Sequence, residues 1–332
     1  MNWQLVLIAV ALLAAAWALL LAWRLWRDPF ALVRAEYARQ RAGAGLKAQS
    51  VVIGGKRWAY AERAADRSGA PTLVMVHGYT GSKENWYRLA QRLRGRYRLV
   101  IPDLPGWGES QRDADADYGY AAQAENVAAF IRAVCGAPVV LVGHSMGGGI
   151  AALTAARHPD LVARVALIDA AGVNFEENGF AREVLAGGNP FGVTDAASLQ
   201  RYLGIVVHDR RVLPPIPWPV SNIVIAQRRA DGAFEQSILE HIGRGADQFL
   251  PGAEAARIRQ PALLVWGAHD QVIDPSAMAA YAAQIPQARQ LLLDRSGHSP
   301  IIEQPDEVAA AVAGLVEAAA GRTPATETGA PA

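Results

Sequence analysis

The stretch Val139-Val140-Leu141-Val142-Gly143-His144-Ser145-Met146-Gly147 decides the fold of this 332-residue chain. Its first four residues are continuously apolar and predict a strand buried on both faces, and a helical pattern follows Ser145. The G-x-S-x-G pattern at the junction is typical of a sharp strand-to-helix turn that lifts a serine out of the sheet in a strained conformation. A glycine-rich helix start with a capping serine is the simpler alternative. The strand-to-helix context favours Ser145 as a nucleophile.

Strand and helix patterns alternate outward from this turn. The strand-like segments are residues 51–53, 58–62, 72–76, 98–101, 139–142, 165–168, 262–266 and 290–293. The helical patterns are residues 86–93, 121–134, 146–157, 276–284 and 306–320. Such alternation predicts an α/β fold with a mostly parallel, eight-stranded sheet that has helices on both faces.

Residues 173–258 interrupt the alternation. They contain several helical stretches and a proline-rich run at residues 214–219 rather than another strand-helix unit. We therefore predict that this insertion is a helical cap over the strand ends. Its aromatic and aliphatic residues could line a lipid site or form the core of the cap, and the sequence leaves both possibilities open. They are Phe175, Phe180, Phe191, Tyr202, Leu203, Ile205, Trp218, Ile223 and Phe234.

A serine hydroxyl needs a base to remove its proton and a carboxylate to orient that base. On a fold with this type of turn, the three residues follow the chain order serine, acid, histidine. Asp270 and His298 each follow a predicted strand, at the sheet edge where catalytic loops collect. They are the predicted acid and base. Asp274 is the nearest alternative acid, and Asp294 and Asp103 are weaker ones.

Hydrolysis of an ester also needs hydrogen-bond donors for the negatively charged oxygen of the tetrahedral intermediate. The loop His77-Gly78-Tyr79-Thr80 follows the predicted strand at residues 72–76. The predicted oxyanion donors are the backbone amides of Tyr79 in this loop and of Met146 after the serine. A simple turn is the alternative interpretation of this loop.

Two neighbouring histidines have other predicted roles. His144 is expected to pack into the turn before the serine, and His269 is expected on the surface.

A second motif competes with this interpretation. The run Gly147-Gly148-Gly149-Ile150-Ala151-Ala152 fits G-x-G-x-x-A, and Asp169 follows Gly149 by 20 residues, as in a dinucleotide-binding fingerprint. However, the first glycine of that fingerprint should close the strand, whereas Gly147 lies inside the predicted helix. The alternative also leaves Asp270 and His298 without a role.

The N-terminal segment predicts a membrane anchor. Residues 3–23 contain one polar residue, Gln4, and a helix of this length can span a bilayer. A cleaved signal peptide is the alternative, because Ala16-Trp17-Ala18 fits a cleavage site, but no basic residue precedes the run. Basic residues follow the run, which predicts a single-pass anchor with a cytoplasmic catalytic domain. They are Arg24, Arg27, Arg34, Arg39 and Arg41.

These patterns predict the organisation of the chain. The membrane anchor comprises residues 1–27, a basic juxtamembrane linker residues 28–46, the catalytic domain residues 47–320 and a disordered tail residues 321–332. A flexible joint is expected at Gly43-Ala44-Gly45.

Composition excludes several other classes of protein. Lys and Arg total 32 against 31 for Asp and Glu. A formal charge of +1 gives no overall positive potential that would attract a nucleic acid. A single cysteine, Cys135, cannot form an internal disulfide, and it is expected in the core. The histidines show no zinc-ligand spacing. We expect neither a metal nor an organic cofactor.

Together these features resemble the α/β-hydrolase family, and within it the membrane-anchored monoacylglycerol lipase branch. The resemblance extends over the anchor, the basic segment at residues 34–41, His77-Gly78-Tyr79, Asn85-Trp86, Asp103-Leu104-Pro105-Gly106, the Ser145 turn, Ala170-Ala171-Gly172, Trp266-Gly267-Ala268-His269-Asp270-Gln271-Val272 and Gly297-His298-Ser299.

The resemblance implies Ser145 as nucleophile, Asp270 as acid, His298 as base and a lipid ester as substrate. Another serine hydrolase of this fold, such as a small-ester esterase, thioesterase or C–C bond hydrolase, remains an alternative, as does an inactive membrane-bound partner protein. The sequence does not fix the oligomeric state.

Overall fold

The computed structural model describes residues 3–28, 30–213 and 216–318. The predicted tail at residues 321–332 lies outside the described residues.

Eight strands form one sheet. They are β1 (Lys47–Ile53), β2 (Lys56–Arg63), β3 (Thr72–Val76), β4 (Arg98–Pro102), β5 (Val139–His144), β6 (Val162–Ile168), β7 (Ala262–Gly267) and β8 (Arg289–Leu293). Their spatial order is β1-β2-β4-β3-β5-β6-β7-β8. β2 pairs antiparallel with β1 and β4, and the other neighbours are parallel. The predicted fold class, with its mostly parallel eight-stranded sheet, is confirmed.

Twelve α-helices lie in the described residues. They are α1 (Trp3–Arg27), α2 (Ala31–Gly43), α3 (Tyr87–Arg92), α4 (Tyr120–Val134), α5 (Met146–Arg157), α6 (Gly179–Leu185), α7 (Ala196–Val206), α8 (Val220–Arg244), α9 (Leu250–Ala255), α10 (Ser276–Gln284), α11 (Pro300–Glu303) and α12 (Pro305–Glu317). Single 3₁₀ turns occur at Lys83–Trp86 and Arg210–Val212.

Each face of the sheet packs against its own hydrophobic core. On one face, Trp58 stacks on Phe130 of α4 with ring centroids 4.9 Å apart. On the other face, Trp86 and Leu99 pack with Val312 of α12. Full burial of a large apolar side chain contributes about 1.5 to 3 kcal/mol, so both cores stabilise the sheet.

The cap contains α6, α7, α8 and α9, as the irregular pattern of residues 173–258 predicts. α8 reaches the loop after β3, where the Tyr79 hydroxyl donates to the carbonyl oxygen of Glu235 at 2.5 Å. The cap therefore lies over the edge of the sheet that carries the Ser145 turn.

The segment after α1 is more ordered than the sequence indicates. Residues 31–43 form α2, and the expected flexible joint packs on the catalytic domain instead. Ala44 is completely buried, and the Arg63 guanidinium donates to its carbonyl oxygen at 2.6 Å. The chain is held at this joint because the Arg63 side chain also bonds to the carbonyl oxygens of Ala90 and Leu93.

Candidate active site

Ser145 lies on a strained turn between β5 and α5. Its φ of 56° and ψ of −124° are unusual for a residue with a side chain. A Cβ on Gly143 would overlap the carbonyl oxygen of Gly147, and a Cβ on Gly147 would overlap the carbonyl oxygen of His77. Close approach of the neighbouring backbone therefore requires glycine at both positions.

The structure brings Ser145, His298 and Asp270 into one hydrogen-bonded chain. The Nε2 atom of His298 lies 2.9 Å from Ser145 Oγ, and its Nδ1 atom lies 2.8 Å from Asp270 Oδ2. All three residues are buried. Since a carboxylate only accepts, Nδ1 carries the proton, and Nε2 is left to accept from the serine hydroxyl.

Backbone donors fix the orientation of Asp270. Its Oδ1 accepts from the amides of Val272 at 2.7 Å and Ile273 at 3.1 Å. Its Oδ2 therefore remains directed at His298, which holds the imidazole in the tautomer that a base requires.

The other predicted acids have different contacts. Asp274 accepts from the amide of Ser276 at the start of α10, and the Asp294 side chain is 89% exposed. Asp103 is buried and accepts from the Lys83 ammonium at 2.7 Å and from the backbone amides of Lys83 and Glu109. The structure thus brings Asp270, and none of these three, to the ring of His298.

The loop that carries the Tyr79 amide approaches Ser145, and the Met146 amide directly follows this serine in the chain. Gly78 approaches Ser145 so closely that a Cβ would lie 2.8 Å from the serine Cβ. Within the described part of the chain, neither the Tyr79 amide nor the Met146 amide has a hydrogen-bond acceptor. Unpaired donors beside a nucleophile are what an oxyanion requires.

Polar contacts fix the loop that carries Tyr79. The Nε2 atom of His77 accepts from the amide of Leu104 at 3.0 Å, so its Nδ1 donates to the carbonyl oxygen of Gly78 at 2.8 Å. Burial lowers the pKa of His77 to about 4. This neutral imidazole and the Lys83–Asp103 ion pair tie the loop after β3 to the loop after β4.

His144 has a role that the sequence did not indicate. The ring was expected simply to pack into the turn, but its Nε2 donates to the backbone carbonyl of His298 at 2.6 Å. Burial lowers the pKa of His144 to about 3, which keeps the ring neutral. His269 is exposed as expected, and its ring stacks on His208 at 3.9 Å between centroids.

Asp169 is a further acidic residue at this site. The sequence suggested only a nucleotide-binding role for it, but it lies next to Asp270 and is completely buried. Asp169, Asp270 and His298 each offer one potential metal-ligand atom, and these atoms lie within 4.8 Å of one another. His298 is already engaged by Ser145 and Asp270.

An apolar cavity of about 190 Å³ adjoins the serine. Phe175, Phe180 and Phe191 of the cap line it together with Ser145 and Met146. These three phenylalanines therefore face the site, whereas Phe234 lines a second cavity of about 850 Å³ between α2 and α8.

Cys135 is partly buried against the core, and burial raises the pKa of its thiol to about 11.

An eight-stranded, mostly parallel sheet with a helical cap and a serine on a strand-to-helix turn defines the α/β-hydrolase class. Residues 73–311 match the model of the alpha/beta hydrolase family, and the chain belongs to this family. The predicted family and hydrolase class are confirmed.

Relatives of this chain carry lipase names. It is 32% identical over 279 residues to Lipase 1 of Psychrobacter immobilis, covering 82% of this chain and 84% of the relative. It is 25% identical over 302 residues to human monoacylglycerol lipase ABHD6, covering 86% of each. A solved structure of a membrane phospholipase A, described as a bacterial virulence factor, is 34% identical with a TM-score of 0.82. That match covers 95% of this chain and 99% of the solved one.

Proposed function

We propose that this chain hydrolyses carboxylic esters of lipids, with Ser145 as nucleophile, His298 as base and Asp270 as acid. The observation that carries the proposal is the continuous hydrogen-bonded chain from Ser145 Oγ through His298 to Asp270. Buried groups in this order can deprotonate an alcohol without a metal or an organic cofactor.

The reaction would proceed through an acyl-enzyme. Ser145 Oγ attacks the ester carbonyl while His298 Nε2 takes its proton, and the amides of Tyr79 and Met146 hold the oxyanion. The C–O bond to the alcohol then breaks as His298 returns the proton to the leaving oxygen. Water, deprotonated by His298, attacks the acyl-enzyme, and the fatty acid leaves as Ser145 recovers its proton.

Three observations support a lipid as the substrate. The cavity beside Ser145 is lined mainly by apolar side chains of the cap and can hold an acyl chain. α1 exposes an apolar surface along its whole length. The relatives bear the names of lipases and of a monoacylglycerol lipase. We infer that monoacylglycerols are substrates.

Initial rates on monoacylglycerols of graded chain length test the substrate class. Short soluble esters and thioesters serve as the comparison, and Ser145→Ala serves as the blank. We expect the largest kcat/KM on a monoacylglycerol. A larger value on a soluble ester or thioester would reject the lipid assignment but keep the serine chemistry, and full activity of Ser145→Ala would reject both.

We further propose that residues 1–27 anchor the enzyme as a single span and that the catalytic domain is cytoplasmic. The basic residues that follow the apolar run support this orientation. A reporter fused to the C-terminus should be active on the cytoplasmic side. Reporter activity on the periplasmic side would reject the proposed orientation and leave the proposed reaction unchanged.

A further inference from the structure

Asp169 is a buried acidic residue with a strained backbone. It follows β6 directly, beside the end of β7, and its φ of 43° is a left-handed conformation that residues with side chains seldom adopt. The Asp169 side chain is completely buried, and its Oδ1 accepts from the amide of Gly267 at 2.9 Å.

The second oxygen of this carboxyl group lacks a protein donor. Oδ2 of Asp169 is inaccessible to solvent and has no hydrogen-bond partner among the described residues. The charged or titratable groups that face Asp169 are Asp270, His298 and Glu303. An ionised carboxylate with an unpaired buried oxygen is costly, so the ordinary charge state of aspartate does not suit this position.

Two adjacent buried carboxyl groups do not both ionise at neutral pH, because their charges repel in a medium of low dielectric constant. The donors decide which group keeps the charge. Asp270 accepts from Val272, Ile273 and His298, whereas the one donor to the Asp169 side chain in the described part of the chain is the Gly267 amide. Burial, together with the neighbouring Asp270, raises the pKa of Asp169 well above its ordinary value.

We propose that Asp169 is protonated at neutral pH and that its Oδ2–H donates a hydrogen bond to Asp270. Asp169 is then a positioning residue, and it acts on the reaction only through Asp270. This inference rests on the proposed role of Asp270 as the acid. The added donor holds the Asp270 carboxylate against rotation and leaves its charge directed at the imidazolium that forms during catalysis.

Asp169→Asn in the full chain tests the charge state. The amide has the same size, accepts from Gly267 and donates to Asp270 without carrying charge. We expect kcat/KM within about threefold of wild type and an unchanged acidic limb of its pH profile. If Asp169 is ionised instead, this substitution removes a negative charge near His298, and the acidic limb moves to lower pH by about one unit, which contradicts the proposal.

Asp169→Ala removes the donor. We expect kcat to fall by about 10- to 100-fold, as for loss of a hydrogen bond to a charged group, with KM little changed. Recovery of kcat in Asp169→Asn is the result that separates a hydrogen-bonding role from simple packing. Equal losses of kcat in the two variants would overturn the proposal.

An infrared spectrum tests the proton directly and does not depend on activity. Wild type minus Asp169→Asn should show the carbonyl stretch of a protonated carboxyl group at neutral pH, while wild type minus Asp274→Asn should not. If Asp169→Asn does not fold, wild-type protein with isotope-labelled aspartate gives the same band without a variant. The protein is first treated with a chelator, since Asp169, Asp270 and His298 each offer a potential metal-ligand atom. Absence of the band then overturns the inference even if Ser145 proves to be the nucleophile.

Discussion

At the residue scale, the backbone of Ser145 is held by hydrogen bonds to the end of β6, to the start of α5 and to the segment after β6. A residue in a sparsely populated backbone region costs about 1 to 3 kcal/mol and persists only when its surroundings fix it. The Ser145 amide donates to the carbonyl oxygen of Ile168 at 2.9 Å, and its carbonyl oxygen accepts from Gly148, Gly149 and Ala171. These bonds hold Ser145 Oγ within hydrogen-bond distance of His298 Nε2.

Asp270→Asn should slow turnover without unfolding the protein. An amide can donate to Nδ1 of His298 and so favour the tautomer that cannot accept the serine proton, and we expect kcat to fall by about 10⁴-fold. Asp274→Asn is the matched control, because Asp274 contacts the start of α10. Steady-state kinetics of both variants measure the effect. An equal loss in Asp274→Asn with none in Asp270→Asn would reassign the acid.

Gly78→Ala should impair the proposed oxyanion site. The added Cβ would lie 2.8 Å from the Cβ of Ser145, so either the serine or the Tyr79 loop must move. We expect kcat to fall by about 100-fold, as for a small displacement of reacting groups. Gly232→Ala in α8 is the control, since its Cβ meets no atom within 4 Å. Wild-type kcat in Gly78→Ala would show that the Tyr79 amide is not an oxyanion donor.

The sequence predicts some residues of this site better than others. Two features of the sequence predict the catalytic residues. They follow predicted strands, and they occur in the order serine, acid, histidine, as Ser145, Asp270 and His298. The contact of His144 with the His298 carbonyl joins residues 154 apart in the sequence. No local pattern specifies that contact, and the proximity of Asp169 to Asp270 depends in the same way on the pairing of β6 with β7.

At the element scale, α8 connects the cap to the site. Arg228 and Glu235 form an ion pair at 2.9 Å inside the cap, and the Glu235 carbonyl oxygen accepts from the Tyr79 hydroxyl. The Arg228 guanidinium also lies over the ring of Tyr202, 4.8 Å from its centroid. Movement of α8 would therefore displace the loop that carries the Tyr79 amide.

Glu235 should make the stability of the protein depend on pH. Burial raises its pKa from 4.5 to about 7, although Arg228 opposes this shift. A raised folded-state pKa gives stability that is complete below pH 4.5 and is lost as pH rises through about 7. Over that window we expect wild type to lose about 3 kcal/mol of unfolding free energy relative to Glu235→Gln.

Apparent Tm in detergent across this pH range measures the effect. Glu240→Gln on the same helix is the control, because the Glu240 side chain is 51% exposed. If wild type and Glu235→Gln lose the same Tm over the window, Glu235 does not titrate there.

Strands and helices differ in how far the sequence predicts them. All eight predicted strands occur. Continuous apolar runs identify the central strands β3, β4, β5 and β7, which are buried almost throughout, whereas β1 and β8 at the two edges of the sheet are largely exposed. α2 was not predicted as a helix, because its basic residues suggest a linker and Gly43 and Gly45 suggest a joint. The burial of Ala44 and the bond from Arg63 are tertiary contacts, which outweigh these local preferences.

At the scale of the whole molecule, α1 differs from every other described element. It is the one described helix long and apolar enough to cross a membrane, and none of its residues is buried. Its 25 residues correspond to about 38 Å at 1.5 Å per residue, which exceeds the hydrocarbon thickness of a bilayer. Membrane insertion would bring the proposed catalytic site to the surface where its substrates are concentrated.

Leu12→Arg combined with Leu13→Arg should release the enzyme from membranes. Each charge near the centre of a span costs about 2.5 to 3.5 kcal/mol on insertion. We expect the double variant in the soluble fraction after carbonate extraction, with its activity on a soluble ester retained. Val52→Arg on the exposed edge strand β1 is the control and should stay with the membrane. Unchanged membrane retention of the double variant would exclude α1 as the anchor.

The most direct test of the chemistry is covalent labelling by a fluorophosphonate, followed by mass spectrometry of the intact and digested protein. Only an activated serine reacts with this probe. We predict one adduct per chain, located on Ser145, absent from Ser145→Ala and strongly reduced in His298→Ala. Labelling that persists at wild-type level in Ser145→Ala would contradict the assignment of Ser145 as the nucleophile.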